Sequence, residues 1–243
     1  MTLLRLTDVG KSYDGVSAVR NLSFDVAEGE IVGLMGANGA GKTTVFSLIA
    51  GTQKVTTGEI WFAGGRIDRK PAYQISHLGV ARTFQIVRPF AGLTVLDNLV
   101  VAALHGHQPA LSRTAAEQSS RAILREVGLT DQAEQLAATL TLAGRKRLEI
   151  ARAIATAPRL LLLDEVLAGL TATEVAAALD MIRDLHQRHR LTLVVIEHVM
   201  RALMKLCDRI VVLHHGEKLA EGPPTAIVRD DRVIAAYFGK RAS

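Results

Sequence analysis

Alternating and fully apolar stretches fill the two ends of this chain, and helical spacing fills its middle. "LLRLTDV" (3–9) and "NLSFDV" (21–26) alternate apolar with polar residues, the pattern of half-buried antiparallel strands. "IVGLMG" (31–36) is a short continuous apolar run, which predicts a strand buried on both faces. A helix is predicted from Thr43 to Ala50, stopping at Gly51, followed by strands in "GEIWFAG" (58–64) and "LGVARTFQ" (78–85). From Thr94 to about Pro158 the period changes. "TVLDNLVVAALHG", "RTAAEQSSRAILREVG" and "RKRLEIARAIATA" all carry apolar residues at helical spacing. Strand patterns return in "RLLLLDE" (159–165), "LTLVVIEH" (191–198) and "RIVVLHHG" (209–216), with "TEVAAALDMIRDLHQRHR" as a long helix between the first two. Buried strands alternating with helices predict βαβ units and a mostly parallel sheet, hence an α/β protein. The helical middle reads as a subdomain inserted into a core. The expected bounds are about 1–90 and 158–243 for the core and about 91–157 for the insertion.

Composition narrows the class without deciding function. The chain has 243 residues, 49% hydrophobic but only 4% aromatic, so its core must be aliphatic. No apolar run approaches the roughly 20 residues of a membrane span. The N-terminus has no basic head leading into a long apolar stretch, so no signal peptide is expected. Cys207 is the only cysteine, which excludes a disulfide framework and suits a reducing compartment. A net charge of +5 in a chain of mixed charge predicts a solvated surface rather than a nucleic-acid partner.

Candidate chemistry begins at "MGANGAGKTT" (35–44). Gly36, Ala37, Asn38, Gly39, Ala40, Gly41, Lys42 and Thr43 match G-x-x-x-x-G-K-[ST] in full, between a predicted strand and a predicted helix. Glycines let backbone N–H groups converge on phosphate oxygens, and the helix N-terminus adds donors and a favourable dipole. Lys42 is expected to reach the β- and γ-phosphates and Thr43 to ligate Mg²⁺, with Thr44 beside it. A glycine-rich turn with a surface lysine is the plainer alternative, but it does not account for the flanking strand and helix. Asp164 closes the apolar strand "RLLLL", where its carboxylate can hold the metal at the carboxyl end of a sheet. Its neighbour Glu165 is then placed to polarise the attacking water. His198, just past another apolar strand, is the remaining acid–base candidate.

With these residues in hand, the chain resembles the ATP-binding subunits of ABC transporters from about Leu3 to Gly239. That resemblance implies a P-loop NTPase fold: a RecA-like core with an antiparallel β-subdomain and an inserted helical subdomain. It implies ATP and Mg²⁺ as cofactors, Tyr13 in "KSYDG" stacking on adenine, and Gln85 in "ARTFQ" touching Mg²⁺ and water. It also implies Glu165 as catalytic base and His198 at the γ-phosphate. "GVARTFQIVRPFAGLTVLDNLVVA" and the terminal "AYFG" are similar to the branched-chain amino acid uptake subfamily. Members of that group work with two permease subunits, a second, different ATPase subunit and an external solute-binding protein. The resemblance therefore implies a peripheral protein on the cytoplasmic face of the membrane.

The chain departs from the family pattern in places. The usual Leu-Ser-Gly-Gly-Gln signature aligns with Leu140, Thr141, Leu142, Ala143 and Gly144, which the resemblance places over the partner's ATP. Val166 replaces the usual Pro, Thr171 a common Asp, and Ala37 a common Pro. Among weaker signals, His105, His107, His214 and His215 read as surface histidines. Arg145, Lys146 and Arg147 read as a solvated or subunit-facing cluster, and Cys207 as a small core residue. A soluble ABC-type ATPase acting on nucleic acid or ribosomes would show coiled-coil insertions or a second P-loop, and neither is present. A GTPase needs Asn-Lys-x-Asp, but Asn stands only at 21, 38 and 98, never before Lys. A small-molecule kinase leaves "RTFQ", "EVLAGL" and "VIEH" unexplained.

Overall fold

A computed structural model describes residues 1–84 and 89–238, apart from the Phe238 side chain. The chain divides into two compact units, Met1–Ile75 with Thr192–Ser243, and Ser76–Leu191. The first unit opens with β1 (Thr2–Tyr13) and β2 (Val16–Ala27), which pair antiparallel. Asp14 and Gly15 form a two-residue turn between them, with φ of 45° and 86°. Both values are left-handed, as the tight hairpin turn that matches strand twist requires. β3 (Ile31–Gly36) is buried along its whole length, and α1 (Lys42–Ile49) follows it. β4 (Thr57–Phe62) and β5 (Gly65–Arg66) complete an antiparallel sheet ordered β2-β1-β4-β5, and α2 (Ala72–His77) ends this segment.

The second unit contains β6 (Val80–Arg82), α3 (Val95–Leu104), α4 (Arg113–Glu126), α5 (Leu142–Ala155), β7 (Leu160–Asp164) and α6 (Ala172–His189). β6 and β7 pair in parallel. The helices start where the sequence supplies an oxygen for their orphan N–H groups. Thr94, Ser112, Thr141 and Thr171 each accept from a backbone N–H three residues on. At α6 the Glu174 side chain returns the bond to Thr171, a complete capping box. α5 starts at Leu142 rather than Arg145 because Thr141 provides that cap.

The chain then re-enters the first unit with β8 (Thr192–Ile196), α7 (Met200–Leu206), β9 (Arg209–His214), β10 (Glu217–Gly222), α8 (Pro224–Ile227) and α9 (Asp231–Phe238). β3 lies between β8 and β9, parallel to both, and β10 pairs antiparallel with β9. Cys207 is buried beside Gly33, and burial pushes its thiol up to about 12, so it is an inert core residue as expected. The expected strand at 78–85 is regular only over Val80–Arg82, and α2, α7, α8, α9 and β10 are too short to mark the sequence by periodicity. The compact units also divide elsewhere than at 90 and 158. β6, β7 and α6 fall in the same compact unit as the helices.

Candidate functional site

The loop between β3 and α1 is a cradle built from backbone. Gly41 has φ of +101°, and a Cβ there would lie 2.6 Å from the Ala18 carbonyl oxygen of β2. A Cβ on Gly36 would lie 2.6 Å from the Leu213 carbonyl oxygen of β9. Both positions therefore require glycine. Between them Ala37, Asn38 and Gly39 are exposed, while Ala40 is buried. The Ala40 carbonyl accepts from the Gly216 N–H at 3.2 Å, which backs the loop with the β9–β10 turn. Lys42 is only 6% exposed; its Nζ donates to the carbonyls of Gly36 (2.7 Å) and Ala37 (3.1 Å). The loop thus wraps its own ammonium. α1 has no side-chain cap and no acid in its first turn, so nothing of its own counters the positive end of the helix. Thr43 is exposed and Thr44 half-buried at that end.

Two further candidates belong to this unit. His198 is exposed, just beyond β8, and Glu197 before it is buried. The parallel register pairs Leu34 with Ile196, so Gly36 comes level with His198 at the carboxyl ends of adjacent strands. Tyr13 sits at the β1–β2 hairpin tip, 40% exposed, with Lys11 Nζ 4.8 Å from its ring centroid. An exposed aromatic face flanked by a cation is suited to stacking.

The acids lie in the second unit. The Asp164 side chain is 1% exposed at the end of β7, and its Oδ2 accepts from Arg82 Nη2 at 2.8 Å. Its N–H donates to Thr83 Oγ1 at 2.9 Å, so the last residue of β6 and the residue after it hold both its carboxylate and its backbone. Glu165 follows with φ of +51°, a left-handed conformation that is uncommon outside glycine and marks stored strain. Lys146, buried in α5, donates from Nζ to the Glu165 carbonyl at 2.9 Å and holds that turn. Glu149 is buried one turn further along α5. Burial raises its carboxyl above the ordinary value, while the Phe84 N–H, donated at 2.6 Å, and the nearby Lys146 and Arg152 oppose that rise.

Residues 19–168 match the family model of the ABC transporter, and residues 217–243 match that of the branched-chain amino acid ATP-binding cassette transporter. This chain belongs to the ATP-binding proteins of ABC transporters. The ABC ATPase is 39% identical to the high-affinity branched-chain amino acid transport ATP-binding protein LivG of Salmonella typhimurium, over 98% of both chains. It is 38% identical to BraF of Pseudomonas aeruginosa, again over 98% of both. Its fold superposes on the ADP conformation of MJ1267, an ATP-binding cassette of an ABC transporter, with a TM-score of 0.88. That match is 26% identical and covers 99% of this chain and all of the other.

For this ABC ATPase, several of the sequence departures acquire a local reason. Thr141 Oγ1 accepts from the Gly144 N–H at 3.1 Å, so the hydroxyl in the signature segment is an N-cap of α5. Leu142 stands 44% exposed at that helix start, with Ala143 and Gly144 half-buried behind it. Thr171 caps α6, and bonds from its N–H and hydroxyl hold the Glu174 carboxyl below the usual range. Gln85 lies outside the described residues. Arg82, Lys146 and Glu149 escaped the sequence reading as site residues. Arg82 stood in plain view within "ARTFQ", whereas Lys146 was expected on the surface and is instead buried. Among the described residues no helix is long and apolar enough to cross a membrane.

Proposed function

We propose that this ABC ATPase hydrolyses MgATP to drive a branched-chain amino acid importer. The carrying observation is that similarity to LivG and BraF runs the full length, and that the tail 217–243 matches the branched-chain cassette model as well. Gly36 to Thr44 hold the phosphates through backbone N–H groups and Lys42, and Tyr13 stacks on adenine. Thr43 Oγ1, Asp164 and Gln85 would hold Mg²⁺; hydroxyl, carboxylate and amide oxygens are the hard donors this ion takes. The metal supplies charge neutralisation at the β- and γ-phosphates. Glu165 orients and polarises the attacking water, and His198 hydrogen-bonds the γ-phosphate. Arg82 Nη2, 2.8 Å from the Asp164 carboxylate, sets an opposite charge beside it in the buried site.

The partners are a second, different ATPase subunit, two permeases and an external solute-binding protein, with the ATPase on the cytoplasmic face. No nucleic-acid partner is involved. Thr141 to Gly144 cap the partner subunit's ATP, where Leu142 and Ala143 lack the glycine freedom for close backbone approach. The ATP in this chain's own loop is therefore the main hydrolytic site. In the reconstituted complex, leucine, isoleucine or valine on the binding protein should stimulate ATPase activity; no response to any of them refutes the solute class. Glu165→Gln should cost roughly 10²–10⁴-fold in turnover. The matching change in the partner should cost far less, and equal losses would refute the asymmetry.

A further inference from the structure

Of the residues in "ARTFQ", Gln85 has a role in the reading above, whereas Arg82 is so far only a neighbouring charge. Arg82 stands level with Leu162 in the parallel register of β6 and β7, and Asp164 lies two residues beyond Leu162 on the same face of its strand. The guanidinium reaches along the sheet to Asp164, and its Nη2 donates to Oδ2 at 2.8 Å. Both side chains are withdrawn from water, 9% and 1% exposed. Each is also held from its other side. Arg82 Cζ lies 5.3 Å from the centroid of the Phe84 ring, and the Phe84 N–H is donated to the Glu149 carboxylate at 2.6 Å. The Asp164 N–H is donated to Thr83 Oγ1 at 2.9 Å, and the Thr83 N–H to the Leu162 carbonyl at 2.9 Å.

A carboxylate with a guanidinium at hydrogen-bond distance already has its countercharge. In general such a neighbour weakens the hold of a carboxylate on an added cation, by about 10- to 1,000-fold where that cation is a proton. A divalent ion on the same carboxylate meets the same countercharge and is itself repelled by the guanidinium. We propose that Arg82 is a positioning residue that fixes the Asp164 carboxylate and sets its metal affinity too low for the ion alone, so that metal settles at Asp164 only together with the ATP phosphates. Arg82 acts through Asp164, not on ATP. Its role rests on the assignment of Asp164 to Mg²⁺.

The probe is Mn²⁺, which takes the same hard oxygen donors as Mg²⁺ and is followed by electron paramagnetic resonance on the full-length chain. Binding that disappears in Asp164→Asn counts as the site. Arg82→Gln keeps a side-chain N–H and removes the charge. With a non-hydrolysable ATP analogue present, it should bind Mn²⁺ about 10-fold or more tighter than wild type. It should also bind Mn²⁺ without nucleotide, where wild type has no site tighter than about 1 mM. Arg82→Lys, which keeps the charge, should stay within about threefold of wild type. Thermal unfolding separates this from a purely structural role. Without metal the Arg82→Gln midpoint should fall, because a buried carboxylate has lost a countercharge, and Mn²⁺ with the analogue should raise it more than it raises wild type. A lowered midpoint with unchanged or weaker Mn²⁺ binding overturns the proposal, as does equal tightening by Arg82→Lys. Should Arg82→Gln not fold, wild type decides: an Asp164-dependent site tighter than about 1 mM without nucleotide overturns the proposal, and a site that forms only with the analogue upholds it. If wild type shows no Asp164-dependent site even with the analogue, the metal assignment falls and takes the role of Arg82 with it; a wild-type site with a silent Arg82→Gln sinks that role alone.

Discussion

Gly39 and Gly41 stand two residues apart in the phosphate loop, both at positive φ, and the structure separates them sharply. At Gly39, with φ of +80°, a new Cβ would meet nothing within 4 Å. Gly39→Ala therefore carries only the conformational cost of a left-handed L-residue, about 1–2 kcal/mol. At Gly41, with φ of +101°, the same Cβ would sit 2.6 Å from the Ala18 carbonyl oxygen and 3.3 Å from Val19 Cγ2. The first of these is backbone of a paired strand and cannot rotate away. Overpacking adds about 1–3 kcal/mol to the conformational term, for a total of roughly 2–5 kcal/mol. That energy emerges either as lost stability, if the loop keeps its shape, or as lost affinity, if the loop relaxes. Thermal unfolding and calorimetric MgATP titration of both variants, read together, capture it in either form. Gly39→Ala should weaken binding by about 5- to 30-fold at most, and Gly41→Ala by at least about 30-fold or by an equivalent loss of stability. If the two variants behave alike, the approach of β2 to Gly41 does not shape the cradle and the argument is wrong.

Lys146→Met removes the bond that holds the Glu165 carbonyl at 2.9 Å while keeping the length of the side chain. Turnover in the reconstituted complex should fall about 10- to 100-fold, because a misaimed general base loses rate steeply, with MgATP affinity within about twofold. Unaltered turnover would show that Glu165 keeps its left-handed turn unaided. Glu149 gives a prediction in pH. Its folded-state pKa lies above its ordinary 4.5, chiefly through burial, so the native state holds the proton to higher pH than the unfolded chain does. Stability is then lost as pH rises from about 4.5 through the folded-state value and stays lost above it. Glu149→Gln keeps an oxygen for the Phe84 N–H and removes that titration. Its unfolding midpoint relative to wild type should climb with pH across this window, and a flat difference would contradict the burial argument.

What could be read without coordinates was what is local in the chain. The phosphate loop is a contiguous eight-residue pattern, and its strand and helix announce themselves by an unbroken apolar run and a change of period. The oxygen acceptors that start α3 to α6 are equally local, because a cap reaches only three residues. Asp164 and Glu165 were legible for the same reason, as the end of a buried run. The tertiary structure decided what depends on residues far apart in sequence. Arg82 meets Asp164 across 82 positions, and Lys146 reaches Glu165 across 19. No periodicity encodes such pairs, since each depends on which strand or helix packs beside which. The left-handed turn at Glu165 is of the same kind: no local signal calls for positive φ at a glutamate, and it persists because Lys146 and the surrounding packing hold it.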